Sequence, residues 1–380
     1  MSNGQATPLS STASGMPVSG PTVQSAVIGW AKSGAIVTRR RRWLVLIGLP
    51  AASVAVMLLC SGFGAAQVSS RDLLAVLVQL ITAGRIDGAV DDTASAILFQ
   101  VRVPRVLMGF FVGSTLAIVG ATLQALLRNA LADPYVLGVS SGAALGVALA
   151  MLLGMGSLMA MVPVLPLWGF AGGLMALILI YRLAQSHGRL PIHSLLLAGV
   201  ILNAMLTALI MFITSVMDPA RSAGLMAWLM GSLTVQNWSS LAGIAVYLII
   251  GGICLHYQAP ALNVLTQGED TARSLGIDTE RLKRRLYVLA ALLTGVVVSV
   301  SGMIGFIGMV IPHAVRMAVG SDHRLLMPAS AFVGGMFLVL SDTVARTAFA
   351  PAEIPVGVVT ALAGGPFFLY LLLWRKDRMV

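Results

Sequence analysis

Charge is scarce in this chain: 10% of its 380 residues are Asp, Glu, Lys or Arg, against 58% hydrophobic, and the mean hydropathy is +0.92. That balance excludes a soluble globular domain, in which about a quarter of residues carry charge, and describes a polytopic membrane protein. Lysine is scarcer still. Lys32, Lys283 and Lys376 are the only three, and none follows a glycine, so the chain has no Walker A loop to cradle nucleotide phosphates and is not itself an enzyme that hydrolyses ATP. Cysteine is limited to Cys60 and Cys254. Both fall in apolar runs, as small core hydrophobes do, and neither a disulfide nor a metal pair is expected. Acidic residues are few as well, 14 against 24 basic, leaving a formal net charge of +10. Nucleic acid is not the implied partner, because an excess of Lys and Arg on the inner loops of a membrane protein accounts for the imbalance.

Residues 1–38 are rich in Ser, Thr, Gly and Pro and nearly uncharged. They read as a disordered cytoplasmic tail, since they hold too little apolar surface to bury. Arg39 to Arg42 then precede Trp43-Leu-Val-Leu46. The basic flank is that of a signal peptide, but the apolar run is too long and lacks a small-residue cleavage site, so it reads as a retained first span with its N-terminus inside.

A helix needs about 20 apolar residues to cross the hydrocarbon core. Ten runs fit: 43–64, 103–126, 140–155, 163–182, 191–214, 239–256, 284–300, 303–318, 325–345 and 355–374. Hydropathy alone would allow one long helix after Arg285. Basic residues decide otherwise, for Arg281, Lys283, Arg284 and Arg285 precede the run and Arg316 and Arg324 follow it, so the chain crosses twice and turns near Gly302, Gly305 and Gly308. With ten spans, 18 Lys and Arg lie inside and six outside. Gly109 with Gly113, and Gly142 with Gly146, form small-xxx-small pairs that let helices approach closely.

Three groups of residues are candidates for function. At the mouth of the second span stands Arg102-Val-Pro-Arg105. Arginines there are costly unless water or an acidic partner receives them, which marks a docking edge more than a lipid face. Arg346 follows the ninth span, four residues after Asp342, and an Asp342–Arg346 pair would compete with docking. The second group is the cytoplasmic insert 261–285, which reads as two short helices. Glu269 and Arg273 are spaced i, i+4, Gly276 suits a C-terminal cap, and Asp278 or Thr279 can start the next helix. The third is the loop Asn129-Ala-Leu-Ala-Asp-Pro134, where a bulky apolar residue on a short loop can form a constriction. The segment His187-Gly-Arg-Leu-Pro-Ile-His-Ser194 is a further candidate constriction.

Arg102 to Arg105, the run from Leu126 to Pro134, and Gly138-Val-Ser-Ser-Gly-Ala-Ala-Leu-Gly146 together resemble the permease subunit of type II ABC importers, which take up cobalamin, haem and ferric siderophores. Gly305-Phe-Ile-Gly-Met-Val-Ile-Pro-His313-Ala-Val-Arg316 and Pro351-Ala-Glu-Ile-Pro-Val-Gly-Val-Val-Thr-Ala-Leu362 carry the same resemblance, which covers roughly residues 43–374. It implies an all-α fold of ten transmembrane helices over residues 39–380, working as a homodimer in the bacterial inner membrane with both termini in the cytoplasm. Two ATPase subunits would sit below and a periplasmic binding protein above, with ATP and Mg on the ATPases and no cofactor or metal on this chain. Arg102, Arg105 and Arg346 match arginines that meet glutamates of the binding protein. Gly268, Glu269, Ala272, Arg273, Leu275 and Gly276 match the coupling helices that dock on the ATPase, and Asn129 and Leu131 match residues that narrow the exit. The cargo would be an iron compound such as haem or a ferric siderophore, or cobalamin. The runner-up is a secondary transporter driven by an ion gradient, although such proteins place ionisable groups at the midplane and here the charges gather at span ends.

Overall fold

The computed structural model describes residues 43–64, 96–155, 164–186, 189–233 and 237–376, with the side chains of 136, 137 and 371–376 left aside. The tail reading of residues 1–38 and part of the segment 187–194 lie outside the described residues. Among the described residues there is no strand, only one isolated bridge between Ser186 and Arg189.

Among the described residues seven helices are long and apolar enough to cross a membrane. They are α1 (Leu44–Gly62), α2 (Ile97–Leu126), α4 (Val164–Ala184), α5 (Ile192–Val216), α7 (Trp238–Tyr257), α10 (Thr279–Ser301) and α12 (His323–Thr347). Three shorter apolar helices occupy the remaining predicted spans: α3 (Val139–Leu152), α11 (Ile307–Val319) and α13 (Val356–Lys376). Three further short helices complete the order: α6 (Pro219–Leu229), α8 (Ala259–Leu265) and α9 (Glu269–Ser274). The run after Arg285 does divide. α10 ends at Gly302 (φ +67°), and α11 starts after Phe306 (φ +69°), both in the left-handed region that ends a helix.

Burial sorts the long helices. In α2, 72% of the most apolar stretch is buried, and in α10 and α12 61%, against 22–33% in α1, α4, α5 and α7. α2 is therefore the most enclosed of the long helices, packed chiefly against α12 and α11, while α4 packs on α3. Glycines set the closest crossings. A Cβ on Gly113 of α2 would stand 2.3 Å from the Gly334 carbonyl oxygen of α12, and one on Gly120 would stand 1.9 Å from that of Gly308 in α11. Gly142 of α3 and Gly172 of α4 meet in the same way, at 2.6 and 2.2 Å. No other residue allows backbones to touch there, and that contact replaces the hydrophobic driving force that lipid removes.

Candidate functional site

Polar chemistry collects at the two ends of the bundle. At one end α1 finishes, α2 begins and α12 finishes, which gathers Arg102, Arg105 and Arg346 around Asp342. Arg105 donates to Asp342 Oδ1 at 3.0 Å through Nη2 and to Glu353 Oε2 at 3.0 Å through Nη1. Arg346 Nε donates to Asp342 Oδ2 at 2.9 Å, and its Nη1 donates to the Phe63 carbonyl at 3.0 Å. Arg102 Nη1 donates to the Gly62 carbonyl at 2.9 Å, one of the last carbonyls of α1, which the helix itself leaves unpaired.

The three arginines of the docking reading differ in exposure. Arg102 and Arg346 are 3% and 5% exposed, because each guanidinium is spent on satisfying buried oxygens. Arg105 reaches outward, and half-exposed Glu353 is its outer partner. Glu353 thus faces an arginine, three residues ahead of α13. The pair also borders a cavity of about 350 Å3 walled by Trp228 and Gly231. Beside it α6 begins under the Asp218 cap, which accepts from Ala220 N at 2.9 Å. Sequence reading missed α6, although an Asp-Pro pair ahead of an apolar stretch is a helix-start signal.

At the opposite end the loop 127–138 joins α2 to α3. Asn129 Oδ1 accepts from Leu131 N at 2.9 Å, and Ala132 N donates to the Asn129 carbonyl at 3.1 Å, so Asn129 shapes the turn and Leu131 is its 48%-exposed tip. Asp133 caps the next short turn by accepting from Tyr135 N. Burial pushes its carboxyl up to about 6, against the pull of that N–H. The Tyr135 hydroxyl accepts from Ile304 N, linking this loop to the break between α10 and α11. Deeper in the same region Gln124 joins α2 to α11, donating to the Met309 carbonyl at 3.0 Å and accepting from Arg316 Nη2 at 3.1 Å. Neither of these two links was singled out from the sequence, since nothing in spacing pairs residues 169 or 192 positions apart.

The insert forms the rest of this end. Gly268 (φ +128°) turns the chain from α8 into α9, and Ile277 N donates to the Ala272 carbonyl at 3.0 Å after Gly276 (φ +81°). Ala272 is fully buried under the insert, whereas Leu275 stands 66% exposed. Arg273 pairs with Glu269 at 3.3 Å and approaches Glu280 at 3.7 Å. Lys283 is the centre that sequence reading missed. Its ammonium is 4% exposed, pairs with Glu280 at 2.7 Å and Glu269 at 3.3 Å, and donates to the Leu190 carbonyl at 3.2 Å. Asn263 of α8 completes the base by bonding Asp322 at 2.7 Å and His323 N at 2.8 Å at the start of α12. Among the described residues no group of three or more His, Cys, Asp or Glu is placed to hold a metal.

Sequence comparison bears on what these ends serve. A model of the FecCD transport family matches residues 52–374. The cobalamin import system permease protein BtuC of Halobacterium salinarum is 43% identical over 290 residues, 76% of either chain. The hemin transport system permease protein HmuU of Yersinia pestis is 41% identical over 76% of this chain and 86% of its own. The vitamin B12 import system permease protein BtuC of Salmonella paratyphi A is 38% identical over 88% of this chain and 96% of its own. A solved inward-facing structure of a metal-chelate type ABC transporter superposes with a TM-score of 0.74 at 31% identity, covering 87% of this chain and 98% of that one. With helices of membrane length and a match across nearly all the described residues, the chain belongs to the FecCD transport family and is a multi-pass permease subunit of an ABC importer.

Proposed function

We propose that this permease carries a large metal chelate, haem, a ferric siderophore or cobalamin, across the bacterial inner membrane, with both termini in the cytoplasm. Two copies form the pathway between them, and two ATPase subunits that bind ATP and Mg sit against the insert. The observation that carries this reading is the contrast between the ends: an arginine edge at one, and a self-supporting helical insert at the other, on a chain without a phosphate loop. Relatives named for cobalamin, hemin and iron(3+)-hydroxamate share the cargo chemistry of a bulky metal chelate. Specificity then rests with the binding protein that delivers it.

Arg105 and Glu353 form the contact edge for that binding protein, and buried Arg102 and Arg346 add positive field behind it, which raises encounter rate more than affinity. Gly268 to Gly276 dock on the ATPase, with Leu275 as the exposed apolar knob and Ala272, Glu269 and Arg273 keeping the insert rigid. Leu131, held by Asn129, closes the inner exit. The test is reconstitution in liposomes with the ATPase and binding protein encoded beside it, the latter loaded in turn with haem, a ferric siderophore and cobalamin. ATPase stimulation with matching uptake for one loaded form is the expected result. Uptake driven by an ion gradient with no ATPase association would overturn the reading.

A further inference from the structure

A second polar cavity, of about 350 Å3, opens between the end of α4, the loop after it and the start of α10. Arg189, Arg281 and Arg284 line it together with Tyr181, Asp278 and Glu280. The two acids are already committed. Asp278 pairs with Arg281 at 2.9 Å, and Glu280 accepts from Lys283 and from Leu190 N at 2.8 Å. Arg189 and Arg284 have no acidic partner within ion-pair distance among the described residues, so two exposed guanidinium groups line the cavity outside any ion pair.

Its height in the membrane follows from the two helices that flank it. Tyr181 is in the last turn of α4, at the depth where aromatic residues mark the membrane interface, and Arg281 and Arg284 precede the apolar stretch of α10. The cavity therefore opens where apolar helix gives way to water, which is the level of lipid phosphate. Guanidinium forks match phosphate oxygens bidentately, and basic pockets between helices on the cytoplasmic side suit anionic headgroups. The geometry points to a binding site for an anionic phospholipid of the inner leaflet, its phosphate held by Arg189 and Arg284 and its acyl chains lying along α4. This rests on the sidedness read from the basic residues, with the insert end in the cytoplasm.

The test uses the full-length permease purified in detergent, then exposed to phosphatidylglycerol or phosphatidylcholine and analysed by native mass spectrometry. Retention of phosphatidylglycerol over phosphatidylcholine is expected, with a loss on the order of tenfold in Arg189→Gln with Arg284→Gln. Arg182→Gln with Arg324→Gln, basic residues at the same end but outside the cavity, should retain the lipid, and the melting temperature of both variants should match the parent. Equal retention of the two lipids, or equal loss in both double variants, would overturn the proposal. So would displacement of phosphatidylglycerol by millimolar inorganic phosphate, which would make the site one for a soluble phosphate. The outcome is independent of cargo and ATPase assembly, so failure here leaves the importer reading standing.

Discussion

Lys283 of α10 reaches across to the segment before α5 and donates to the carbonyl oxygen of Leu190 at 3.2 Å, while Glu280, three residues earlier, accepts from the N–H of the same Leu190 at 2.8 Å. Both backbone groups of one residue are thus taken by side chains of the helix that follows the insert. The insert is held to the same lysine through Glu269. One buried ammonium thus touches both Glu269 of α9 and the segment that leads into α5.

Lys283→Met should therefore weaken more than the insert. Removing the ammonium leaves Glu269 and Glu280, 22% and 27% exposed, with only the half-exposed Arg273 as a cation. Removing one member of a fully buried pair costs about 3–5 kcal/mol, and the partial exposure of the two acids brings the expected loss to about 1–2 kcal/mol. Adding Glu280→Gln should restore part of it. Thermal unfolding of the single and double variants measures both, and a double variant no better than the single would contradict the account.

Asp342 and Glu353 share Arg105 but differ in burial, 2% against 50% exposed, so their neutral variants should separate cleanly. Asp342→Asn takes the carboxylate from buried Arg346 and partly buried Arg105 and should cost about 3–5 kcal/mol. Glu353→Gln removes only an exposed pair and should cost under about 1 kcal/mol. Denaturant melts in detergent would read the difference, and Glu353→Gln should at the same time quicken capture of the binding protein by freeing Arg105 Nη1.

The loop that carries Leu131 should respond to pH. Asp133 has its carboxyl raised by burial to about 6, so the folded loop holds a proton that the unfolded chain releases near pH 4. Loop stability is then complete below about pH 4 and declines as pH rises through 6. Hydrogen exchange at the Gly138 amide, which donates to the Tyr135 carbonyl, should show protection falling across that window, and Asp133→Asn should flatten the profile.

Gly120→Ala should be among the most damaging single-methyl changes in the chain. Its Cβ would stand 1.9 Å from the Gly308 carbonyl oxygen, so α2 and α11 must part, at a cost of roughly 1–3 kcal/mol. Gly224→Ala, with nothing within 4 Å of the added carbon, should be neutral or slightly stabilising. Yield of folded protein by size exclusion compares the two.

Most of the helical layout could be read in the sequence because lipid imposes one rule, about 20 apolar residues bounded by charge, and α1, α2, α4, α5, α7, α10 and α12 obey it. The break between α10 and α11 was legible for an electrostatic reason, the basic residues at both ends of the run. α3 and α11, at 14 and 13 residues, fall short of membrane length but still registered as apolar runs, whereas α6, short and only partly apolar, did not. At the insert, local signals sufficed: Glu269 with Arg273 and the Asp278 cap involve neighbours in sequence. Lys283 with Leu190, Gln124 with Arg316 and Asn263 with His323 are long-range pairs, and residue type alone does not say which distant partner a polar group will meet. The Asp342–Arg346 pair, four residues apart, was legible, whereas the inward turn of Arg102 escaped notice because it meets backbone oxygens of α1 that carry no signature in the sequence.

Where α2 meets α11 and α12, and where α3 meets α4, peptide planes press on one another with no side chain between. Side chains are the compliant layer of a protein, able to change rotamer and absorb a push. Without that layer each crossing behaves as a welded joint, and the joined helices tilt together or not at all. Any opening of a path must then be found at the seams between such welded groups, where side chains still fill the gap.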